Sequence, residues 1–333
     1  MNRESRGSPS RRRLLLQGAA VSALGPWLGA SAATAVAGGR TITLIVSYPP
    51  GGGADLIARL VGPKLADVLG QNVIVENRPG GSGTIAAGQV ARAEPDGATL
   101  LLDASSFAVN PSLFSKLPYD SEKAFAAIGV IAQFANVLVC TPSFQARTVA
   151  EVVRLARAKP KEIAYASSGN GSAQHLAGAL FEQLAQVQLN HVPYRGGGPA
   201  MTDVMGGQVP LFFANVASSM GHIQSGKLRA LAVTTKVRTR ALPEVPTMEE
   251  SGVKGHEVLE WNPLLAPAAL PAETRARLVA ALNKVKEDPE VIGRLRALGG
   301  DIFPGGDVQA AAFLKQQQAL WARVIQQQGI RRE

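Results

Sequence analysis

The sequence predicts an α/β fold built on a mainly parallel sheet. Three observations predict it. Short β-branched, apolar stretches alternate with stretches of helical periodicity from Thr41 onward. Four times an apparent strand runs into a Gly-rich turn and then a helical pattern, the sequence form of a strand–turn–helix unit. Apolar residues make up 46% of the 333, enough to build a core, and Gly (35) and Pro (21) stay below the level of a disordered chain.

The elements follow in order. Thr41 to Ser47 is β-branched and apolar, a buried strand. Ala54 to Leu69 places apolar residues at 57, 60, 61, 65 and 68, the helical period, and Gly62-Pro63 predicts a kink or two abutting helices. Asn72 to Glu76 reads as a strand, Thr84 to Arg92 as a helix, and Thr99 to Leu102 as a strand. Ala135 to Thr141 is the next strand, followed by a helix over Val149 to Lys159 and a strand over Glu162 to Ala166. Ser172 to Gln186 is a helix, Leu189 to Val192 a strand, Pro199 to Met205 a helix, and Val209 to Ala214 and Leu228 to Val233 strands. From Pro271 the pattern is helical: Glu273 to Glu287, Pro289 to Leu298 and Val308 to Gln328.

The net charge of +9 is unevenly spread. Residues 1–37 carry Arg3, Arg6, Arg11, Arg12 and Arg13 against Glu4, a net of +4, which leaves +9 − 4 = +5 for the rest. Beyond residue 37 the bases are interleaved with acids, which excludes a nucleic-acid partner. Ser10-Arg11-Arg12-Arg13-Leu14-Leu15 is a basic region with a twin-arginine pattern, and Leu14 to Leu24 is too short to span a bilayer. Ala30-Ser31-Ala32 and Ala35-Val36-Ala37 have the form of small-residue cleavage sites. Residues 1–37 are therefore expected to be a removed export signal, by the twin-arginine route or, since Leu14 and Leu16 stand where that pattern prefers Phe and Lys, by the Sec route, and the mature chain soluble. The single Cys140 excludes an intrachain disulfide, and its apolar neighbours predict a buried, inert thiol.

The four Gly turns carry the chemistry. They are P-P-G-G-G-A-D (49–55), R-P-G-G-S-G-T (78–84), S-S-G-N-G-S (167–172) and R-G-G-G-P (195–199). A helix start leaves backbone N–H groups unpaired and carries about half a positive charge. Glycine lets those groups face one concavity and a ligand come close, which makes an anion site without Lys or Arg. Candidate ligand contacts are Gly52, Gly53 and Asp55 in the first turn and Ser168, Asn170, Gly171 and Ser172 in the third. Arg195 of the fourth turn suits a carboxylate, and Ser105 and Ser106, after the strand ending at Asp103, face the same crevice. Asp55 has two readings: a first-turn carboxylate favoured by the helix dipole, or an acceptor for a ligand ammonium or hydroxyl.

Other chemistries lack their patterns. There is no Walker loop, no nucleophile elbow and no metal spacing among His175, His191, His222 and His256. His175, beside Leu176 and Leu180, and His191, in a strand, read as packed histidines. No catalytic residues, metal or cofactor are expected. Gly81-Ser82-Gly83-Thr84-Ile85-Ala86, with Asp103 about twenty residues on, imitates a dinucleotide fingerprint. An exported dinucleotide-dependent oxidoreductase is thus the alternative enzyme reading.

Y-P-P-G-G-G-A-D-L-I-A-R, V-E-N-R-P-G-G-S-G-T-I-A-A, N-P-S-L-F-x-K-L-P-Y-D, Y-A-S-S-G-N-G-S-A-x-H-L-A-G, H-V-P-Y-R-G-G-G-P-A and L-P-E-V-P-T-x-x-E-S-G occur in this order between Tyr48 and Gly252. Together they resemble the Bug-type solute-binding receptors of tripartite tricarboxylate transporters. The resemblance implies a two-lobed periplasmic binding protein fold of type II with two crossing hinge strands. It implies lobe 1 at 41–138 plus 268–333, lobe 2 at 143–260, and hinge strands at about 137–142 and 261–267. It further implies a monomeric, periplasmic receptor that holds a small organic acid by backbone amides, small side chains and water, with transient membrane transporter partners. A ligand sensor for a signalling receptor would use the same fold. Trp261-Asn262-Pro263 departs from the family, which more often has glycine after the aromatic pair, so local geometry at the hinge is expected to differ.

Overall fold

The computed structural model describes residues 40–328 and 330. The expected export signal at 1–37 lies outside the described residues. The first half of the chain lays down β1 (Ile42–Val46), α1 (Gly53–Leu69), β2 (Val73–Asn77), a short 3-10 turn at Gly81–Gly83, α2 (Thr84–Ala91), β3 (Thr99–Leu102) and α3 (Ser106–Leu113). The long β4 (Phe125–Cys140) leads into α4 (Val149–Ala158), β5 (Ala164–Ser167), α5 (Ala173–Ala185), β6 (Asn190–Pro193), α6 (Gly197–Met205), β7 (Leu211–Asn215), α7 (Val216–Gln224) and β8 (Arg229–Val233). Then β9 (Leu259–Pro267) returns to the first half, followed by α8 (Ala272–Glu287), α9 (Pro289–Ala297), β10 (Gly300–Ile302) and α10 (Asp307–Gln328).

The strand order is β2-β1-β3-β9-β4-β7-β5-β6, with β8 and β10 also paired to β4. β1 runs parallel to β2 and β3, and β5 runs parallel to β6 and β7. Every pairing made by β4 and β9 is antiparallel. The sheet is therefore mixed rather than mainly parallel: two parallel trios joined through β4 and β9. β4 makes the join because it changes partners along its length. Phe125 to Ala135 pair with β9, and Asn136 to Cys140 pair with β7, with β8 on the other edge from Val137.

Period-2 alternation sorts the strands' side chains into separate cores. Ile42, Leu44 and Val46 of β1 pack with Ile57, Val61 and Leu65 of α1 and Leu278, Leu282 and Val285 of α8. In the other trio Val137 and Val139 of β4 and Phe212 of β7 pack with Met201 and Val204 of α6. Their alternates, Leu138 and Phe213, pack with Tyr165, Leu176 and Phe181 in a core that continues to Trp261 and Trp321. Each such side chain contributes about 1.5–3 kcal/mol on burial, so the layers themselves fix where the loops must emerge. Cys140 lies in this core, and burial pushes its thiol up.

α1 runs as one helix through Pro63, so of the expected kink or pair of abutting helices the pair does not form. Gly62 lies against β2, where a Cβ would sit 3.3 Å from Val75 Cγ2, so the helix keeps its seat on the sheet there. The Trp261-Asn262-Pro263 departure is absorbed by a bulge. The β4–β9 register shifts between Val130 and Gln133, beside Pro263, which has no N–H to give a ladder. Asn262 supplies a donor instead, with Nδ2 to the carbonyl of Asp103 at 3.0 Å.

Candidate functional site

In both trios the Gly turns leave the C-terminal ends of the strands, where an open α/β sheet forms its crevice. The first turn follows β1, the second β2, the third β5 and the fourth β6. They converge. Gly196 holds φ +131°, and a Cβ there would lie 2.4 Å from Pro49 of the first turn. That combination of backbone and contact admits glycine alone. A Cβ on Gly198 would approach the Pro50 carbonyl to 3.1 Å, and one on Gly197 would lie 3.3 Å from Ser168 Oγ. Ser82 of the second turn donates from Oγ to the Asn170 carbonyl of the third at 2.5 Å, and receives Asn110 Nδ2 on its own carbonyl at 2.9 Å.

Behind these contacts is an inner cavity of about 30 Å³. Gly52, Gly53 and Ala54 form one wall, Ser168 and Gly197 another, and Gln174, Asn215, Ser218 and Glu260 the rest, with Tyr48 and Ala104. The α1 and α6 starts face it, and neither has a side-chain cap. Their free N–H groups and dipoles make this wall positive without any basic side chain. An outer cavity of about 440 Å³ shares Tyr48 and Ser168 with the inner one and extends along Gly80 to Gly83, Asn170 and Arg195.

Several expected site residues take other roles. Asp55 is 3% exposed and lines neither cavity. Its carboxylate accepts from Gly51 N (3.0 Å), Asn77 Nδ2 (2.9 Å) and Arg59 Nε (3.0 Å). Burial pushes its pKa up, but the Arg59 guanidinium and the two other donors outweigh burial and hold the carboxyl below its usual range. Asp55 therefore shapes the turn rather than facing the cavity. Ser172 caps α5, accepting His175 N at 3.2 Å, and Gly171 N donates to His175 Nδ1 at 3.0 Å. His175 stacks on His191, with ring centroids 4.1 Å apart, and burial pushes their pKa values down to about 4 and about 3. Both rings stay neutral and brace the third turn: His191 Nε2 lies 2.7 Å from Ser167 Oγ. Ser106 Oγ accepts the Tyr48 hydroxyl at 2.8 Å. Of the expected residues, Gly52, Gly53 and Ser168 line the inner cavity, and Asn170 and Arg195 the outer one.

The floor holds groups that sequence reasoning missed. Glu260, 5% exposed on β9, accepts Ser105 N (2.9 Å) and Ser105 Oγ (3.0 Å) on Oε1, and Gln174 Nε2 (3.0 Å) on Oε2. Ser105 thus acts through Glu260. Burial pushes the Glu260 carboxyl up, and these donors oppose it. Asn215, 6% exposed, caps α7 with Oδ1 to Ala217 N at 2.8 Å, and its Nδ2 meets no acceptor among the described residues. Glu260 has a sequence signal, a lone acid in the apolar run Val258-Leu259-Glu260-Trp261. Asn215 has a weaker one, a polar residue ending a strand.

Asp103, at the end of β3, is fully buried. Oδ1 accepts Ser47 Oγ and Ala104 N, and Oδ2 has no partner. Burial pushes its pKa up to about 7. Sealed beneath Gly83, it cannot reach a ribose hydroxyl, so the dinucleotide fingerprint lacks its acid. Among the described residues no His, Cys, Asp and Glu cluster could hold a metal ion, and no helix is long and apolar enough to cross a membrane.

Known proteins share this fold. The profile of the tripartite tricarboxylate transporter family receptor matches residues 57–330. BugT of Bordetella pertussis is 33% identical over 292 residues, 87% of this chain and 90% of that protein. The structure of Rhodopseudomonas palustris MatC with bound malate is 29% identical, with a TM-score of 0.82 over 86% of this chain and 99% of that one. The structure of R. palustris Rpa4515 with adipate is 32% identical, with a TM-score of 0.85 over 88% of this chain and 98% of that one.

Proposed function

The chain belongs to the tripartite tricarboxylate transporter receptor family, whose members are periplasmic solute-binding receptors and not enzymes, and from that premise we propose that it captures a small organic carboxylate in the cleft formed by the inner cavity and the larger outer cavity that adjoins it and presents it to a membrane transporter. The observation that carries this reading is the convergence of two uncapped helix starts and the free amide of Asn215 on one buried cavity. These groups offer an anion hydrogen bonds and partial positive charge while costing little reorganisation. The malate and adipate complexes of the two R. palustris proteins support the same class of ligand.

Binding works by closure of two lobes. We place the hinge slightly before the expected 137–142 and 261–267, where β4 exchanges β9 for β7 at Ala135 and Asn136 and where the chain enters β9 at Val258 and Leu259; the change of strand partners supports this placement. Residues on either side then move as rigid trios, and a ligand that contacts both trios favours the closed form by its differential affinity. Ser82 to Asn170 is one bond that forms across the cleft. Residues 1–37 direct the chain to the periplasm and are removed. The transporter subunits, bound transiently, read the closed form.

The test is a thermal-shift screen of the protein purified from the periplasm against di- and tricarboxylates, amino acids and nucleotides. A carboxylate at a hundred times its Kd adds about 2.7 kcal/mol to stability and raises Tm. Stabilisation by nucleotides alone would overturn the reading.

A further inference from the structure

Another cavity, of about 330 Å³, lies where the two trios join. That is the size of a small-ligand pocket. It shares no lining residue with the inner or the outer cavity. Gln133 to Ala135 of β4 and Leu259 of β9 line it at the change of strand partners. Residues of the loop after β8, from Thr235 to Arg240, contribute one side, and the end of α9 with Gly299 and β10 the other. Gly299 brings the sides together: it holds φ +77°, and a Cβ there would lie 2.6 Å from Val216 Cγ1 and 3.0 Å from Ala241 Cβ. Arg238, Arg240 and Arg296 all line this space. Arg238 is already paired, with Nε to Glu250 Oε2 at 2.8 Å and Nη1 to the Pro243 carbonyl at 3.2 Å. Arg240 and Arg296 make no hydrogen bond or ion pair among the described residues. Asp301, the one acid in the lining, offsets one of these two charges. Two neutral donors accompany them. The half-buried Gln133 amide has no partner among the described residues, and the Thr239 hydroxyl, whose oxygen accepts Ala241 N at 3.4 Å, keeps its hydrogen to give.

We propose that this cavity is a second anion site, which takes a compact polyvalent oxyanion of the phosphate type and, when filled, favours the closed arrangement of the cleft. A guanidinium donates in parallel pairs, and a phosphate group has oxygens enough for two such forks at once. A single carboxylate satisfies one fork and leaves the other open. The inner cavity of the cleft offers the reverse: backbone N–H groups and no Lys or Arg in its lining. The two sites therefore select different anions. The coupling follows from where the arginines stand. Arg240 follows β8, whose Leu228 and Val233 pack into the core of the β5–β6–β7 trio. Arg296 ends α9, whose Val291 and Leu295 pack into the core of β1 and α1. The arrangement that brings both to one cavity is also the one in which Ser82 donates to the Asn170 carbonyl across the cleft. An anion held by both arginines favours that arrangement by its differential affinity, and the anion and the cleft ligand then strengthen each other equally. The site stands on the cavity alone; the coupling rests on the closure reading above.

The probe is inorganic phosphate, titrated into the protein purified from the periplasm at constant ionic strength, with sodium chloride as the control for screening. The expected result is saturable binding with a Kd of about 1 mM or tighter. Glycine-selective ¹⁵N spectra should show amide shifts at Gly299 and Gly300 and none at Gly52 or Gly53. Arg240→Gln and Arg296→Gln remove charges that no acid among the described residues pairs with, so both proteins should melt as wild type does. Each should weaken phosphate binding by at least about tenfold, the loss of one charge-assisted contact. Saturating phosphate should tighten the Kd of the cleft carboxylate about fivefold, the low end for coupled sites, and leave it unchanged in either variant. No saturable binding, shifts at Gly52 and Gly53 in place of Gly299 and Gly300, or unchanged phosphate affinity in the variants overturns the site. A carboxylate Kd that stays the same or weakens in saturating phosphate overturns the coupling. If no carboxylate binds while phosphate moves Gly299 and Gly300, the carboxylate reading fails and the second site stands.

Discussion

Gly53→Ala separates folding from closure. Gly53 is the first residue of α1 on one trio, and Asn215 ends β7 on the other. A Cβ at 53 would lie 2.9 Å from Asn215 Nδ2, 3.0 Å from its Cγ and 3.3 Å from its Oδ1. Contacts of this kind are comfortable only at about 3.5–4.0 Å. Either the Asn215 side chain turns away or the trios part. Turning away gives up the 2.8 Å bond to Ala217 N that caps α7, a loss of about 1 kcal/mol. Overpacking a seated contact costs about 1–3 kcal/mol. At tenfold per 1.4 kcal/mol, the Kd for the tightest carboxylate should rise about 5- to 150-fold. The helix itself gains, because alanine replaces glycine at a helical position, by up to about 1 kcal/mol. The free protein should therefore melt no lower than wild type while binding weakens, read by calorimetry and by thermal melts without ligand. A variant that binds within twofold of wild type would refute the placement of Gly53 against Asn215 in the closed cleft.

Three further outcomes follow from the same geometry. Gly196→Ala puts a Cβ 2.4 Å from Pro49 Cδ at φ +131°, so scattering should show a more open molecule and weaker carboxylate binding; an unchanged profile would remove Gly196 from the closing contact. Ser82→Ala deletes the bond to the Asn170 carbonyl, about 1 kcal/mol, and should raise Kd about fivefold with little change in free-protein Tm. Asp103 has a folded pKa raised from its ordinary 3.8 to about 7. The unfolded chain releases this proton first, so stability falls as pH rises from about 4 to about 7 and levels off above, by about 4 kcal/mol in all. Asp103→Asn removes that slope and should gain on wild type by about 2–3 kcal/mol between pH 5 and pH 8 in denaturant melts; parallel profiles would count against a protonated Asp103.

The strand–turn–helix units were legible because Gly and Pro punctuate them, as in Pro49 to Gly53 and Gly196 to Pro199. Elements without such punctuation were not. The front of β4, A-F-A-A-I-G-V-I-A-Q, has neither clean period, and α7, V-A-S-S-M-G-H-I-Q, is rich in residues that favour turns. α3 carries Pro111 within it, which breaks its helical pattern. The site was half legible for a similar reason. Backbone donors announce themselves through glycine, whereas Glu260 and Asn215 reach the cavity from strands that are far apart in sequence. Asp55 misled because a first-turn acid can fold back onto its own loop, here onto Gly51 N, and only the position of Arg59 one helical turn on decides it.

The most direct test of the account is a titration of glycine-selective ¹⁵N-labelled protein with the carboxylate that stabilises it most. The account predicts that the largest amide shifts fall at Gly52, Gly53, Gly197 and Gly198, with Gly226, Gly252 and Gly255 unmoved. Shifts concentrated at Gly81 and Gly83, or shifts absent from both helix starts, would contradict it.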